Sequence, residues 1–406
     1  MDEIRIGVAG LGHRGLHWIR LLQSAPGYRI TAIYDWIEPL QERALAEIAY
    51  RDDVKVFSNY YDFLAYEGMD AVGLVVRQLE QGTMAAEALE AGKHVNAEVP
   101  AAYTMEECWR IVTNVERTGL VYSLAEQTRF WGFVDGWKKL VDDGMLGKIT
   151  YAEGQYLGYY GTHQWFQDYN TGENYPVEAL ADHPDAEPAS PQYLPYIISA
   201  SYDLSILLKI LDDRVIEVTS MSTRPPSYTT PEMLNADIQV ALMKTENDTL
   251  IRMLNGFNQP RPHGDHHWWQ MIGTKGSVEW RRSGKEKPKL WLADTQMNDW
   301  MEVDWQYRRT DAPPEARGSG HGDADYYVHM YFRDAILKGE ALTYDVYRVM
   351  DSMAPAVLAV DSIEEGSRVV RVPDFRPGAD RPSGQMPADL GGIGGRIHTT
   401  KMPGRQ

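Results

Sequence analysis

Gly10-Leu11-Gly12-His13-Arg14-Gly15 constrains this chain more than any other feature, because of what stands on either side of it. Residues 4–9 are largely apolar and β-branched and read as a short buried strand, while residues 16–24 read as a helix. GxGxxG between a strand and a helix marks a dinucleotide-binding turn. The first glycine permits the tight turn, the second lets the backbone approach a pyrophosphate, and the third lets the helix pack close on the strand. The diphosphate then meets free N–H groups at the helix N-terminus, beside His13 and Arg14. The next strand, 29–34, ends in Asp35, about 20 residues past the last glycine. An acid there accepts from both adenosine ribose hydroxyls and repels a 2′-phosphate. Trp36 follows with no adjacent Arg or Lys, so NAD is expected rather than NADP. Asp35 also stands where it would cap a helix read at 37–48, and the two roles are compatible.

Strand and helix keep alternating. Residues 71–76 form an apolar run, 84–91 a helix, 94–97 a strand, 104–116 a helix opened by a Thr104/Glu107 capping box, and 121–125 a strand. This rhythm predicts a doubly wound parallel sheet of the Rossmann type over residues 1–125. From 149 the period changes to two: 150–156, 215–221, 238–243 and 250–255 read as strands. Residues 126–376 are therefore expected to form an α+β domain, a mostly antiparallel open sheet with flanking helices. The loop 161–195 is long, polar and rich in Pro, Asp and Tyr, and is expected to cap a cleft. Residues 377–406 turn to Gly, Pro and Arg and read as a loose tail, or as an arm over a neighbouring subunit.

Composition excludes several classes of partner. The net charge of −18 disfavours a nucleic-acid phosphate backbone. Mean hydropathy is −0.43, and no apolar run approaches the roughly 20 residues of a membrane span. The start shows no basic region followed by an apolar one, and the single cysteine, Cys108, allows no internal disulfide, so a cytoplasmic location is expected. Cys108 lies mid-helix beside Trp109 and reads as core. Twelve Trp and 24 Tyr supply core and interface packing, or a cleft whose aromatic faces stack on sugar rings. In His263-Gly264-Asp265-His266-His267 a strand would put His263 and His267 on one face, a cleft wall rather than a metal site. Lys275 sits in a glycine-flanked turn and reads as structural.

Gly92-Lys93-His94-Val95-Asn96-Ala97-Glu98-Val99-Pro100 carries a specific resemblance. The sequence resembles the Gfo/Idh/MocA family of NAD(P)-dependent sugar oxidoreductases, whose members have Glu-Lys-Pro where this chain has Glu98-Val99-Pro100. Glu98-Val99-Pro100-Ala101-Ala102, with Glu106-Glu107-Cys108-Trp109, is similar to the branch of NAD-dependent glycosidases called glycoside hydrolase family 109. The resemblance runs on through Gly273-Thr274-Lys275-Gly276 and Gly320-His321-Gly322 with Asp325, to about residue 376. It implies NAD contacts from Glu98, Pro100, Glu126 and Gln127, and an active-site contact from His321. It also implies hydride abstraction from a ring hydroxyl carbon of a carbohydrate or glycoside. The net outcome is either sugar dehydrogenation or redox-assisted glycoside cleavage, in which the hydride returns and NAD is unchanged. A homo-oligomer, dimer or tetramer, is implied as well, and no metal.

The chain departs from the family in five places. Val99 replaces the lysine that reaches nicotinamide and substrate, a replacement the glycosidase branch shares. Val76-Arg77 stands in place of a Thr-Pro turn, and Glu126-Gln127 in place of Glu-Asn. Tyr202 occupies the position of the catalytic-region histidine, and Tyr156-Leu157-Gly158-Tyr159 lacks the histidine that the glycosidases place after the first tyrosine. A phenol has an ordinary pKa of about 10 against about 6.5 for imidazole, so Tyr202 acts as a base only if that value is pulled down. Tyr202 and Tyr156 remain the candidate catalytic residues, with His321. A catalytically inactive dinucleotide-binding partner subunit is the alternative.

Overall fold

Glycine-punctuated strand–helix alternation builds the first layer. It comprises β1 (Ile4–Ala9), α1 (His13–Ser24), β2 (Tyr28–Tyr34), α2 (Glu38–Glu47), β3 (Lys55–Phe57), α3 (Tyr60–Leu64), β4 (Ala71–Leu74), α4 (Gln78–Glu90), β5 (His94–Ala97), α5 (Met105–Thr118) and β6 (Tyr122–Leu124). The computed structural model describes residues 3–158, 166–188, 195–231, 234–259 and 266–392. The sheet order is β3-β2-β1-β4-β5-β6 and every pairing is parallel. The order reverses between β1 and β4, the crevice where ligands bind in open α/β sheets. Both faces are covered: Ile4, Ile6 and Val8 of β1 pack with Trp18 and Ile19 of α1, while Val72, Val95 and Ile111 belong to the core on the other side.

After α6 (Gly132–Asp142) the chain enters a second sheet. Its parts are β7 (Ile149–Leu157), β8 (Phe166–Gln167), β9 (Asn174–Tyr175), β10 (Glu187–Pro188), α7 (Ala200–Leu211), β11 (Val215–Ser222), β12 (Gln239–Thr245), β13 (Leu250–Gly256), β14 (His267–Gly273), β15 (Gly276–Glu279), β16 (Lys289–Leu292), β17 (Met301–Glu302), α8 (Ala324–Leu337), α9 (Val346–Glu364) and β18 (Val370–Arg371). Nine strands run in the order β17-β16-β15-β14-β7-β13-β12-β11-β18, antiparallel except where β7 meets β13. Helices α7 and α9 cover one face. The short strands β8–β10 form a separate three-stranded sheet.

Two long-range packings place the site. Helix α8 returns to the first sheet, where Val328, Met330 and Phe332 join the core of β1 and α1, and Tyr28 donates to the His329 carbonyl at 2.5 Å. Residues 376–392 also return. Arg381 makes a bidentate pair with Glu116 of α5 (2.8 Å each), and the Trp109 indole donates to the Leu390 carbonyl. Burial pushes the Glu116 carboxyl up, but Arg381, the Gly384 N–H and Tyr347 hold it below its usual value. Described as far as residue 392, the expected loose tail is thus strapped to its own chain, because a buried carboxylate awaits its arginine; residues 393–406 lie outside the described residues.

Some expected element bounds move. Helix α4 begins at Gln78, not at 84, because its first turns are polar and contain Gly82, which makes room for Glu107 of α5. The edge strand β3 has no apolar run to announce it. The Thr104–Glu107 capping box is present as expected. No helix among the described residues is long and apolar enough to cross a membrane.

Candidate active site

The glycine turn is shaped by backbone collisions that only glycine avoids. Gly10 has φ +87°, and a Cβ there would strike the Val75 carbonyl; one on Gly15 would strike the Gly10 carbonyl oxygen. A Cβ on Gly12 would meet nothing within 4 Å, so the backbone there faces open space at the start of α1. Asp35 ties the turn to β2: its Oδ2 accepts from the Leu11 N–H at 2.8 Å and its Oδ1 from the Ile37 N–H at 2.9 Å. Burial pushes the Asp35 carboxyl above the ordinary range, against these N–H groups and Arg77. An open groove of about 220 Å³ runs along the turn, lined by Gly12, His13, Arg14, Asp35 and Trp36 among others.

Across this groove lies a structure that sequence adjacency did not reveal. The Arg77 guanidinium stands 4.9 Å from the Trp36 ring and 4.1 Å from the ring of Tyr169, between β8 and β9. Gln167 lines the groove, Gly172 packs on Leu40, and Arg43 pairs with Glu173. The expectation of no cation beside Asp35 and Trp36 is therefore corrected: none is adjacent in sequence, but folding delivers Arg77. The described part of the segment expected to cap the cleft, 166–188, reaches the groove through Gln167; 159–165 and 189–194 lie outside the described residues.

At the other end of the turn an ionic cluster joins the two sheets. Arg14 of α1 bonds both oxygens of Asp325 (2.8 Å each) and Glu98 Oε2 (2.9 Å). Asp325 also receives His17 at 3.1 Å and His321 Nδ1 at 3.0 Å. Burial opposes charge on Asp325, but Arg14 and His321 override it and hold the carboxyl far below its ordinary value. Burial likewise opposes charge on Arg14, yet Asp325 and Glu98 keep its guanidinium above the ordinary range. Neither Asp323 nor Asp325 caps α8, the structural alternative for this loop: Asp323 accepts from the Gly318 N–H, and Ser319 accepts from Tyr326. Glu98 further accepts from the Trp18 indole and from Gln127 (3.0 Å each). Pro100 enters only through its carbonyl, which accepts from Gln81.

Glu126 is wholly buried, and burial drives its carboxyl well above the ordinary range. Its Oε1 accepts from Thr128 at 2.6 Å and its Oε2 has no partner among the described residues. Burial thus favours the neutral acid form, which is able to donate. Thr128 also donates to the Tyr202 carbonyl, which draws the start of α7 onto the carboxyl ends of β5 and β6.

There an aromatic pocket forms. Tyr156 of β7 and Tyr202 of α7 meet edge to face at 5.7 Å, and His267 of β14 stacks on Tyr156 at 4.0 Å. Trp131 presents its edge to His267 and donates its indole N–H to the His321 carbonyl at 2.8 Å. The predicted candidates Tyr156 and Tyr202 are thus neighbours, and His321 borders the same pocket through Trp131. The residues missed are Arg77, Tyr169, His17, Trp131 and Asp203. Asp203 had a signal: it is the lone acid of a mostly apolar helix, on the turn that also bears Tyr202. His263, weighed as a metal ligand, lies outside the described residues, and His267 commits its Nδ1 to Asp203. Cys108 is buried core.

Residues 4–126 match the family described as oxidoreductase family, NAD-binding Rossmann fold (Gfo/Idh/MocA), and residues 217–380 match the glycosyl hydrolase 109 C-terminal domain. The first sheet thus matches the Gfo/Idh/MocA Rossmann domain and the second the glycosyl hydrolase 109 C-terminal domain, as the sequence resemblance implied. The chain's cofactor is NAD, and the open face of Gly12, the helix N-terminus and Asp35 fit that group. The chain is 28% identical to a glycosyl hydrolase family 109 protein of Shewanella sp. (strain W3-18-1), with 93% of this chain and 86% of that protein covered. It is 26% identical, at the same coverage, to an alpha-N-acetylgalactosaminidase of Shewanella oneidensis. In fold it is similar to an oxidoreductase from Agrobacterium radiobacter solved with NAD+, L-tartaric acid and magnesium (TM-score 0.70, 14% identity, 91% of this chain and 98% of that one covered).

Proposed function

We propose that this NAD-dependent enzyme oxidises a ring hydroxyl carbon of a glycoside to a ketone, which acidifies the neighbouring C–H so that the aglycone is eliminated; water then adds and the hydride returns before product leaves, so that the net reaction is glycoside hydrolysis. The observation that carries this choice over sugar dehydrogenation is the stack at the adenosine end. Trp36 and Arg77 line the groove, the Tyr169 ring lies against the Arg77 guanidinium, and Arg43–Glu173 ties the segment bearing Tyr169 to α2. A dinucleotide held against this stack exchanges slowly, which suits a redox cycle that ends where it began and hinders one that must release NADH each turn. The names of the family-109 relatives agree.

Bound NAD supplies the hydride acceptor. The chain's part is to hold it with Gly12, the α1 N-terminus and Asp35, and to orient the sugar. Tyr156, Tyr202 and Trp131 give the pocket aromatic faces and polar tips suited to the C–H faces and hydroxyls of a sugar ring. Polar groups converge here despite Val99 and Tyr202, which supports an enzyme over an inactive partner subunit. Homo-oligomerisation is read from the open sheet face, where Met221, Leu242, Leu250 and Ile272 are exposed.

The test is to denature purified protein, identify the released dinucleotide by mass, and offer native protein a panel of p-nitrophenyl glycosides and free sugars. Aglycone release without net NADH supports the proposal. NADH growing in step with added NAD and free sugar would replace it with a dehydrogenase.

A further inference from the structure

We propose that His267, oriented by Asp203, is the base that takes the substrate hydroxyl proton, filling the place left by the absent lysine and histidine. The inference rests on the carbohydrate-oxidising reading above. Asp203 lies wholly buried on α7, and its Oδ1 is 2.8 Å from His267 Nδ1 on β14. A carboxylate at Nδ1 keeps the proton there, leaves the Nε2 lone pair free, and stabilises the imidazolium once formed. Nε2 engages no other group among the described residues, and the side chain is 15% exposed, so the ring is held yet reachable. Tyr156 stacks on one side at 4.0 Å, and the Trp131 edge stands at 5.5 Å, which fixes the ring plane.

The placement is right for the chemistry. Thr128 joins the α7 turn bearing Tyr202 and Asp203 to Glu126, at the carboxyl end of β6. Trp131 connects His267 to His321, which is tied through Asp325 to Arg14 of the glycine turn. A chain of contacts therefore links His267 to the glycine turn of the cofactor groove. The other candidates serve less well. Tyr202 offers a phenol with an ordinary pKa of about 10. His321 is about half exposed, and both oxygens of its carboxylate partner already belong to Arg14.

A purely structural role explains Asp203 poorly. Its Oδ2 meets no donor in good hydrogen-bonding geometry, and burial pushes its carboxyl upward against His267 and the nearby Trp269 indole. An apolar residue would fill that position in a mostly apolar helix at lower cost. In the step proposed, the substrate O–H bond breaks and an N–H bond forms at Nε2. The electron pair of the adjacent C–H bond leaves with its hydride to the dinucleotide, so a ketone and a protonated His267 remain; the reverse restores both. Asp203 is the positioning residue.

The experiment compares wild type with His267→Gln, Asp203→Asn and Tyr202→Phe, each purified with its bound dinucleotide and assayed on p-nitrophenyl glycosides across pH. Expected is a loss of about 100-fold or more in kcat for His267→Gln, with NAD still co-purifying at the wild-type ratio. Asp203→Asn should lose about tenfold in kcat with KM little changed, because the ring stays in place but loses the carboxylate that orients it. The other titratable groups around the ring are Tyr156 and Tyr202, with His321 beyond Trp131. A His267→Gln enzyme within about threefold of wild type overturns the proposal. A second readout does not need turnover or a folded variant. Nitrogen-15 NMR of histidine-labelled wild-type protein should show His267 protonated at Nδ1 and bare at Nε2, and the opposite tautomer overturns the inference. If wild type cleaves and oxidises nothing, the proposed function falls, while the tautomer still decides the dyad.

Discussion

The adenosine end of the groove is built from backbone and the substrate end from side chains, and the two ends tolerate change differently. At the first, Gly10 and Gly15 are held by collisions with neighbouring carbonyls, and Asp35 grips the Leu11 N–H; neither of these two glycines can be exchanged without moving the chain. At the second, Trp131, Tyr156, Tyr202 and His267 arrive from four separate segments, and a lost group at one is replaceable from another. Val99 and Tyr202 stand where the family has lysine and histidine, yet a histidine and an acid meet there by a different route. Binding rests on geometry that a motif encodes, whereas proton chemistry needs only a suitable group at the right point.

The largest expected effect breaks the backbone end. Gly15→Ala drives a methyl group into the Gly10 carbonyl, costing about 1–3 kcal/mol of overpacking and abolishing co-purified NAD, read as dinucleotide released per protein on denaturation. Next comes the join between the ends. Asp325→Asn leaves Arg14 with half its charge partners gone and should cost about 3 kcal/mol. Because the Asp325 carboxyl is held below its ordinary value when folded, its contribution is complete above about pH 4 and is lost as acid is added. Melting curves of wild type and Asp325→Asn should therefore converge as pH falls below that point, and a gap that persists in acid would sink the argument.

Smaller effects sharpen the contrast. Tyr169→Ala removes one ring from the Arg77 stack, worth about 1–2 kcal/mol, so NAD should dissociate roughly tenfold faster in a chase with excess NAD analogue. Unchanged retention would remove the argument for a resident cofactor. Smallest is Tyr202→Phe: if the hydroxyl only orients substrate, kcat falls by about tenfold or less. A far larger loss would return the base to Tyr202.

Local interactions decide how much of this is readable in a linear chain. The glycine turn, Asp35, the capping box at Thr104 and Glu107, and the change of period near residue 149 all rest on contacts between near neighbours or on one face of one element. Sequence alone therefore determined a Rossmann-type sheet, an NAD groove and a second, mostly antiparallel sheet. Partnerships across the fold were decided elsewhere. Asp203 and His267 are 64 residues apart, and Arg14 and Asp325 are 311 apart, so no periodicity links them. Likewise Arg77 reaches Trp36 only because β4 lies beside β1, and residues 376–392 are strapped down only because α5 offers a buried carboxylate. Motifs determine where backbone can bend and bind, but the pairing of buried charges is settled when packing excludes water and leaves each one only the few partners within reach.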